Sequence, residues 1–250
     1  MRTVYEKSAC ITDEPFSYCP GCSHGIVHRL LAELIEELEI REKSVGVTSI
    51  GCSVRAWKFL DLDMVQGAHG RGMAVATGLK RALPPDRVVF TYQGDGDLVA
   101  IGMAETMHAA ARGENITVIF VNNTVFGATG GQLAPTTLPG QITSSYPRGR
   151  DPKIAGYPIR MAEQLALLDG TAYISRVAVN NPANIRKAKH ALRKAFNTQI
   201  SGKGFSLVEI LGICPTNLKL SPVDSLQWLA DNMIPYYPLG EFKSPEEVEQ

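Results

Sequence analysis

Excess charge of one sign, long apolar runs and abundant cysteine are all absent from this sequence. Lysine plus arginine and aspartate plus glutamate each number 25, so the formal net charge is zero. Electrostatics therefore give no reason to expect a nucleic acid or an anionic membrane as a partner. No apolar run approaches the about 18 residues of a membrane span, and the first residues lack the apolar core of a secretory signal. These absences predict a soluble, cytoplasmic protein.

Cysteines are too few and too scattered for a disulfide-stabilised scaffold, since the chain has only five. In a reducing compartment, the Cys-Pro-Gly-Cys segment at 19–22 indicates metal or redox chemistry instead. The apolar fraction of 44% is ordinary for a globular protein. A length of 250 residues suits one large α/β domain or two small ones.

Strand and helix patterns alternate along the chain. Strands are predicted at 45–50, 88–92, 116–121, 172–179 and 205–211, and helices at 24–38, 72–83, 98–112, 162–168 and 182–198. Such alternation predicts an α/β fold with a doubly wound, mostly parallel sheet. We expect one domain over 1–230 and an extended C-terminal arm over 231–250. The stretch 127–158 is rich in Gly, Pro, Thr and Ser, and long loops of this kind are usually functional.

Asp95 and Asn123 are the most informative pair in the sequence. Asp95 lies between Gly94 and Gly96 directly after a strand, and Asn123 follows the next strand. A helical crossover makes the two strands parallel, so both residues reach the edge where α/β proteins bind ligands. Their oxygens, with the carbonyl of Val125, suit Mg²⁺ carrying a phosphate ligand. The alternative interpretation is an Asp-Gly turn and a loop-capping Asn.

Four cysteines follow a second pattern. Cys19 and Cys22 form one pair, Cys52 follows a strand and Cys214 follows another. Because strand ends on one sheet edge can converge, four such thiolates could hold a [4Fe-4S] cluster. A structural zinc site, which normally has two Cys-X-X-Cys pairs, and redox or inert thiols are the alternatives. Cys10 has no partner in this pattern.

The segment 94–102, Gly-Asp-Gly-Asp-Leu-Val-Ala-Ile-Gly, with the following Asn-Asn pair resembles the thiamine-diphosphate motif. Together with Gly-Gly-Gln-Leu-Ala-Pro-Thr-Thr at 130–137, it resembles the β subunit of 2-oxoacid:ferredoxin oxidoreductases of the branched-chain 2-oxoacid or 2-oxoglutarate type. Tyr-Cys-Pro-Gly-Cys at 18–22 and Ile-Cys-Pro-Thr at 213–216 fit the same family. The resemblance covers residues 18–220 and implies a thiamine-diphosphate-binding (diphosphate domain) fold.

The resemblance also implies residue roles. Mg²⁺ is expected on Asp95, Asn123 and the Val125 carbonyl, and the [4Fe-4S] cluster on Cys19, Cys22, Cys52 and Cys214. The expected contacts of thiamine diphosphate are Ile50, Gly51, Cys52, Ser53, His69, Gly70, Gly94, Asp95, Gly96, Asp97, Asn123, Val125, Gly127 and Ala128. No catalytic residue is expected on this chain, because the family's activating glutamate comes from the pyrimidine-binding domain of a partner.

The implied activity is CoA-dependent oxidative decarboxylation of a 2-oxoacid, with electrons passing through the cluster to ferredoxin. The implied partners are an α subunit that carries the pyrimidine-binding domain, a γ subunit and a ferredoxin-like δ subunit. Many relatives carry a lysine where this chain has Gly130, so the substrate does not transfer from them. The alternatives are a non-oxidative thiamine-dependent decarboxylase or carboligase subunit, and a non-catalytic cluster-binding assembly subunit.

Several titratable residues fit no motif. His24 is as compatible with a structural position as with one near thiamine. Glu105 and His108 lie three residues apart on a predicted helix, and without a third ligand we interpret them as structural. Three basic side chains between 148 and 153 predict a solvated loop, with a contact to a partner or a substrate carboxylate as the alternative.

Overall fold

Strands and helices alternate through residues 6–245, the part of the chain that the computed structural model describes. The strands are β1 (Ser44–Thr48), β2 (Asp63–Gln66), β3 (Val88–Gly94), β4 (Thr117–Asn122), β5 (Val125–Phe126), β6 (Gln132–Leu133), β7 (Thr171–Ala178), β8 (Phe205–Leu211) and β9 (Gly240–Lys243). The helices are α1 (His24–Glu37), α2 (Ala56–Phe59), α3 (Gly72–Ala82), α4 (Met103–Ala111), α5 (Pro152–Ala155), α6 (Met161–Ala166), α7 (Pro182–Ile200), α8 (Pro215–Leu218), α9 (Pro222–Trp228) and α10 (Ile234–Tyr236). π-helical turns at Gly96–Ile101 and Leu229–Met233 lead into α4 and α10.

Seven strands form one sheet in the order β2-β1-β3-β4-β8-β7-β9. Every neighbouring pair is parallel except β7 and β9. This confirms the predicted doubly wound, mostly parallel sheet. Each of the predicted strands and helices has a counterpart in the structure, and α7 begins at the predicted Pro182, which needs no N–H at a helix start.

Helices cover both faces of the sheet. α1 and α7 pack on one face, where Leu31, Leu34 and Phe196 are fully buried. α3, α4 and α6 pack on the other face, against residues such as Phe120. Because both faces are covered, the central strands are buried on both sides rather than alternating, and β4 is buried along its whole length. Burying one such side chain contributes roughly 1.5–3 kcal/mol. Across residues 6–245, none of the helices combines the length and apolarity needed to traverse a bilayer.

The C-terminal segment differs from the extended arm predicted for 231–250. Residues 229–236 continue α9 as further helical turns, and β9 adds an antiparallel strand to the sheet. Leu229, Met233 and Tyr237 are fully buried in a small apolar cluster over the ends of β7 and β8. Burial of these three side chains explains why the segment folds back. Residues 246–250 lie outside the described part of the chain.

A buried guanidinium joins this segment to the sheet. Arg176 on β7 is 0% exposed and donates from Nε to Glu209 Oε2 on β8 at 2.8 Å. Its Nη1 and Nη2 donate to Glu163 of α6 at 2.9 and 2.5 Å. The rings of Tyr237 and Phe242 lie 5.1 and 4.9 Å from the guanidinium carbon. One cation therefore holds two strands, a helix and the C-terminal segment together.

Replacing Arg176 with leucine should lower the free energy of unfolding by about 3–5 kcal/mol, because it leaves Glu163 and Glu209 without their cation. Burial raises the pKa of Glu209, and Arg176 opposes that rise. In the variant, burial of Glu209 therefore favours its protonated form. The stability deficit of Arg176→Leu relative to the wild type should shrink as the pH falls from 8 towards 5. Urea unfolding at both pH values measures this.

The matched control for that experiment is Arg186→Leu, which removes an exposed guanidinium from α7. This change should alter stability by no more than about 0.5 kcal/mol. Equal unfolding midpoints for the two variants would contradict the role assigned to Arg176.

Candidate functional site

A cavity of about 120 Å³ opens at the carboxyl ends of β1, β3 and β4. The chain runs from β1 outward to β2 and then back to β3 on the other side, so the strand order reverses here. Ligands of open α/β sheets bind at such a reversal point. The cavity is lined by His24, Ile50, Gly51, Cys52, Ser53, His69, Gly94, Asp95, Gly96, Asp97, Asn123, Val125, Phe126, Gly127, Ala128 and Thr129.

All the predicted cofactor contacts except Gly70 lie in this lining. Gly70 stands behind the wall, where its N–H donates to Asp97 Oδ1 at 2.5 Å. The lining also contains Phe126 and Thr129, which the sequence gave no reason to select. Both belong to the turn after Asn123, so only the path of that turn identifies them.

Asp95 is a buried carboxylate, 3% exposed, at the end of β3. Its Oδ1 accepts from the Gly96 N–H at 2.8 Å, and its Oδ2 accepts from Thr136 Oγ1 at 2.6 Å. Burial raises the pKa of Asp95 to about 7 in spite of these bonds. A cation beside it would restore the charged form, so this carboxylate suits a metal ligand.

The backbone after β4 is bent so that Asn123 and Val125 line the same cavity. Thr124 has φ 64°, a left-handed conformation that is costly for a β-branched residue. Hydrogen bonds hold the bend: the Thr124 N–H donates to Asn122 Oδ1 at 3.1 Å, and the Val125 N–H donates to Asn123 Oδ1 at 3.3 Å. Asn123 therefore forms an Asx turn and also belongs to the cavity lining. The strain places Asn123 and Val125 beside Asp95 in one cavity wall.

The carboxylate of Asp97 is engaged in hydrogen bonds within the cavity wall. It accepts hydrogen bonds from Ser49 Oγ, from the Gly70 N–H and from Gln93 Nε2. His69, by contrast, has a buried Nε2 without a hydrogen-bond partner, 4.0 Å from Asp97 Oδ1. A buried polar atom without a partner next to a cavity indicates a ligand contact.

Gly96 is required for space, not for a turn. Neither Gly94 nor Gly96 has a positive φ. A Cβ added to Gly96 would lie 2.3 Å from the ring of Phe126, whereas one added to Gly94 would meet nothing within 4 Å. The close approach of the Phe126 ring therefore explains a glycine at position 96, and neither φ nor space explains one at position 94.

The four predicted cysteine ligands lie near one another, and two of them, Cys52 and Cys214, lie beside Gly127. A Cβ built on Gly127 would lie 3.6 Å from Cys52 Sγ and 3.7 Å from Cys214 Sγ, and also 3.6 Å from Asn123 Nδ2. Burial raises the pKa of Cys22 to about 12, with further rises from Cys214, Cys52 and Cys19. The thiols are therefore close enough to affect one another's charge.

Local hydrogen bonds hold the turn between Cys19 and Cys22 and the thiol of Cys214. The Cys22 N–H donates to the Cys19 carbonyl at 3.0 Å, which closes the turn between them. Asn217 Nδ2 contacts Cys214 Sγ at 3.2 Å and donates to the Gly127 carbonyl at 3.2 Å. Cys10 is buried in the α1 core and lies apart from this group, as expected.

The thiols do not form a site for a single ion. Within residues 6–245, no group of three or more His, Cys, Asp and Glu side chains could hold a metal ion. One tetrahedral zinc needs four sulfurs at about 2.3 Å, and this arrangement does not supply them.

His24 lines the cavity and is buried. Its Nδ1 lies 2.5 Å from Tyr92 Oη, and its ring stacks on Tyr18 with centroids 4.9 Å apart. Tyr18 Oη lies 2.8 Å from His28 Nε2 and donates to the Cys52 carbonyl at 3.2 Å. The structural interpretation of His24 is therefore confirmed, because its ring is packed as a core residue, and its place in the cavity lining leaves the thiamine-contact interpretation a prediction.

Two other sequence interpretations have clear outcomes. Glu105 pairs with Arg71, so its structural interpretation is confirmed. The solvated-loop prediction is wrong for Arg150, which is 4% exposed, although Arg148 is exposed. Gly130 lies in the β5–β6 connection with φ 110° and presents no side chain.

Comparison with known proteins gives three findings. The model of the thiamine pyrophosphate enzyme C-terminal TPP binding domain matches residues 49–210. Ketoisovalerate oxidoreductase subunit VorA of Methanothermobacter thermautotrophicus is 45% identical over 97% of this chain and 51% of its own length. The chain thus spans about half the length of the VorA relatives it matches.

The 2-oxoglutarate synthase subunit KorB of Archaeoglobus fulgidus is 38% identical over 87% of this chain and 77% of its own length. Among solved structures, a 2-oxoglutarate:ferredoxin oxidoreductase from Magnetococcus marinus, with 2-oxoglutarate, coenzyme A and succinyl-CoA bound, has a TM-score of 0.77. It is 27% identical, and the match covers 91% of this chain and 73% of that one.

Gly96→Ala should destabilise the fold by about 1–3 kcal/mol, because its methyl group must displace the Phe126 ring from the cavity wall. Gly94→Ala is the matched control, since its methyl group enters open space and should cost little. Thermal unfolding measures the difference, and a crystal structure of Gly96→Ala should show Phe126 moved. An unmoved ring with unchanged stability would contradict the contact.

Proposed function

Because the chain belongs to the family of thiamine-diphosphate-binding subunits of 2-oxoacid:ferredoxin oxidoreductases, we propose that it is the β subunit of such an enzyme. The proposed activity is CoA-dependent oxidative decarboxylation of a 2-oxoacid to an acyl-CoA and CO₂, with electrons delivered to ferredoxin. The proposed partner is an α subunit with the pyrimidine-binding domain, accompanied by γ and ferredoxin-like δ subunits. The proposed location is the cytoplasm.

One observation supports this proposal: the side chain of Asn123 and the thiols of Cys52 and Cys214 lie together around Gly127. Asn123 Nδ2, Cys52 Sγ and Cys214 Sγ all lie within 3.7 Å of the position that a Gly127 Cβ would occupy. A cofactor held on the oxygen side is therefore adjacent to a group held on the thiol side. Such adjacency suits a decarboxylation whose electrons leave one at a time, and a non-oxidative decarboxylase has no use for it.

On the oxygen side, the proposed Mg²⁺ ligands are Asp95, Asn123 and the Val125 carbonyl. One carboxylate and two neutral oxygens leave the remaining positions for water and diphosphate, as Mg²⁺ prefers. The buried Asp95, whose pKa is raised by burial, gains a compensating cation. His69, with its free Nε2, is proposed as a diphosphate contact.

On the thiol side, Cys19, Cys22, Cys52 and Cys214 are proposed to hold a [4Fe-4S] cluster. Each thiolate of such a cluster binds a different iron, so the sulfurs stand farther apart than around one zinc ion. Asn217, which contacts Cys214 Sγ, supplies a hydrogen bond to a cluster thiolate.

When bound, thiamine diphosphate supplies the nucleophilic carbon and accepts the electrons of decarboxylation, which the cluster relays singly to ferredoxin. In this proposal, the chain's own residues bind the diphosphate, exclude water and supply the cysteine ligands of the cluster. The cavity of about 120 Å³ is smaller than the roughly 300–1,000 Å³ of a complete ligand site. This supports a site completed by the α subunit, which would also supply the activating glutamate.

Branched-chain 2-oxoacids are the proposed substrates, with 2-oxoglutarate second. Relatives named for ketoisovalerate share 45% and 46% identity with the chain, and a relative named for 2-oxoglutarate shares 38%. Gly130 offers no cation for a second substrate carboxylate, which favours a monocarboxylic substrate. Purification of the native complex and assay of 2-oxoacids with CoA and a viologen acceptor tests the whole proposal.

Replacing any of Cys19, Cys22, Cys52 or Cys214 with alanine should remove most of the iron and the absorption shoulder near 400 nm from anaerobically purified protein. Cys10→Ala is the control and should keep both, because Cys10 lies outside the group. Iron analysis and absorption spectra are the measurements. A colourless, iron-free wild-type protein would overturn the oxidoreductase and leave the non-oxidative thiamine enzyme.

Asp95→Asn should lower the affinity for thiamine diphosphate with Mg²⁺ by 100-fold or more, since it removes the only charged oxygen proposed for the metal. The exposed Asp86→Asn is the control and should bind as the wild type does. Calorimetric titration with thiamine diphosphate in the presence of Mg²⁺ measures both. Absent binding by iron-loaded wild-type protein would favour the non-catalytic assembly subunit.

A further inference from the structure

Arg150 organises the loop beside the cavity. The residue is 4% exposed, and its guanidinium donates hydrogen bonds to five backbone carbonyls. The acceptors are the carbonyls of Ala134 (3.3 Å), Pro135 (3.1 Å) and Thr137 (2.6 Å) on one side, and of Ala155 (3.1 Å) and Gly156 (2.9 Å) on the other. A single side chain therefore ties the two ends of the segment 134–156 together.

The stretch that Arg150 holds contacts both halves of the proposed Mg²⁺ site. Thr136 Oγ1 donates to Asp95 Oδ2 at 2.6 Å. Thr137 Oγ1 donates to the Thr124 carbonyl at 2.5 Å, within the strained bend that presents Asn123 and Val125. Both hydroxyls lie on residues that are 0% exposed. The segment that Arg150 holds therefore makes one hydrogen bond to Asp95, from Thr136, and one to the bend at Thr124, from Thr137.

We propose that Arg150 is a positioning residue for the Mg²⁺–diphosphate site, acting through Thr136 on Asp95 and through Thr137 on the bend at Thr124. This proposal rests on the proposed function. Arg150 touches neither metal nor cofactor in it. Its task is to fix the two hydroxyls, so that the oxygen ligands keep the spacing that Mg²⁺ requires.

Two physical features make this the role of an arginine. Mg²⁺ tolerates little departure from octahedral geometry, so small shifts of Asp95 or the bend cost affinity. The planar guanidinium has five N–H donors in a fixed fork, whereas a lysine ammonium has three on a flexible stem. Lysine keeps the charge at this position but cannot satisfy five carbonyls, which makes Arg150→Lys the informative change.

The test compares Arg150→Lys with Arg148→Lys in the full chain. Arg148 is exposed two residues away, so its replacement controls for charge and for the loop sequence. We expect Arg150→Lys to weaken Mg²⁺ binding by about 10- to 100-fold, as loss of a group that orients a metal ligand typically does. Calorimetric titration of Mg²⁺ at saturating thiamine diphosphate measures this, and the iron content and melting temperature report the fold.

A merely structural role is distinguished by rescue. With the positioning role, one equivalent of thiamine diphosphate still binds to Arg150→Lys when Mg²⁺ is raised to saturation, and the iron content equals that of the wild type. Loss of the fold would instead lower the iron content and the bound cofactor together at every Mg²⁺ concentration, and the threonine variants described next then decide the question.

A double-mutant cycle tests whether Arg150 acts on Asp95 through Thr136. Thr136→Val removes the hydroxyl that contacts Asp95 and should itself weaken Mg²⁺ binding about 10-fold. If Arg150 acts through Thr136, the combined variant should lose less affinity than the product of the two single losses. Fully multiplicative losses, or wild-type affinity in Arg150→Lys, would overturn the proposal. Should Arg150→Lys fail to fold, wild-type Mg²⁺ affinity in a Thr136→Val, Thr137→Val variant overturns it equally.

The wild-type titration separates this proposal from the proposed function. If the wild type binds no thiamine diphosphate with Mg²⁺, the proposed function fails and the positioning role fails with it. If the wild type binds and Arg150→Lys binds equally well, the positioning role alone is overturned.

Discussion

The buried cation of Arg176 is the constraint on which the rest of the structure depends. A guanidinium without exposure is tolerable only with its carboxylates in place, so Glu163 and Glu209 must approach it together. That requirement holds α6 against β7 and β8, and the ring of Tyr237 packs against the guanidinium. The C-terminal segment folds back onto the sheet because it completes this environment.

The same network reaches the site from behind. Glu209 Oε1 accepts from Asn122 Nδ2 at 2.7 Å, and Asn122 in turn accepts from the N–H of the strained Thr124. From the other side, Tyr237 Oη donates to the Thr136 carbonyl at 2.8 Å, and Thr136 donates to Asp95. The groups that line the cavity are thus held by a second layer of buried polar residues. Strain at Thr124 persists because this layer overdetermines it.

The sequence was sufficient for the five central strands of the sheet and for most of the cavity lining, but not for this second layer. Parallel strands bring the residues after β3 and β4 to one edge whatever the details, so Asp95 and Asn123 could be paired from strand patterns alone. Arg150 and Glu163 have no local signal, because their partners are backbone carbonyls or distant side chains. The strand β9 was missed for the same reason: an antiparallel edge strand of four residues has little periodicity, and its place depends on Arg176 and Phe242.

The layering also explains why the cavity is small when the chain stands alone. Its floor is held in place, since the Asp95 carboxylate and Asn123 Oδ1 are already hydrogen-bonded, whereas Ile50 in the lining is 41% exposed. A floor held in this way beside an open rim binds one end of a ligand well and leaves the other end in water. If a partner covers that rim, it removes water from around Asp95 and strengthens the attraction between this carboxylate and a cation. Assembly and cofactor binding would then reinforce each other, because each supplies what the other needs at the same buried charge.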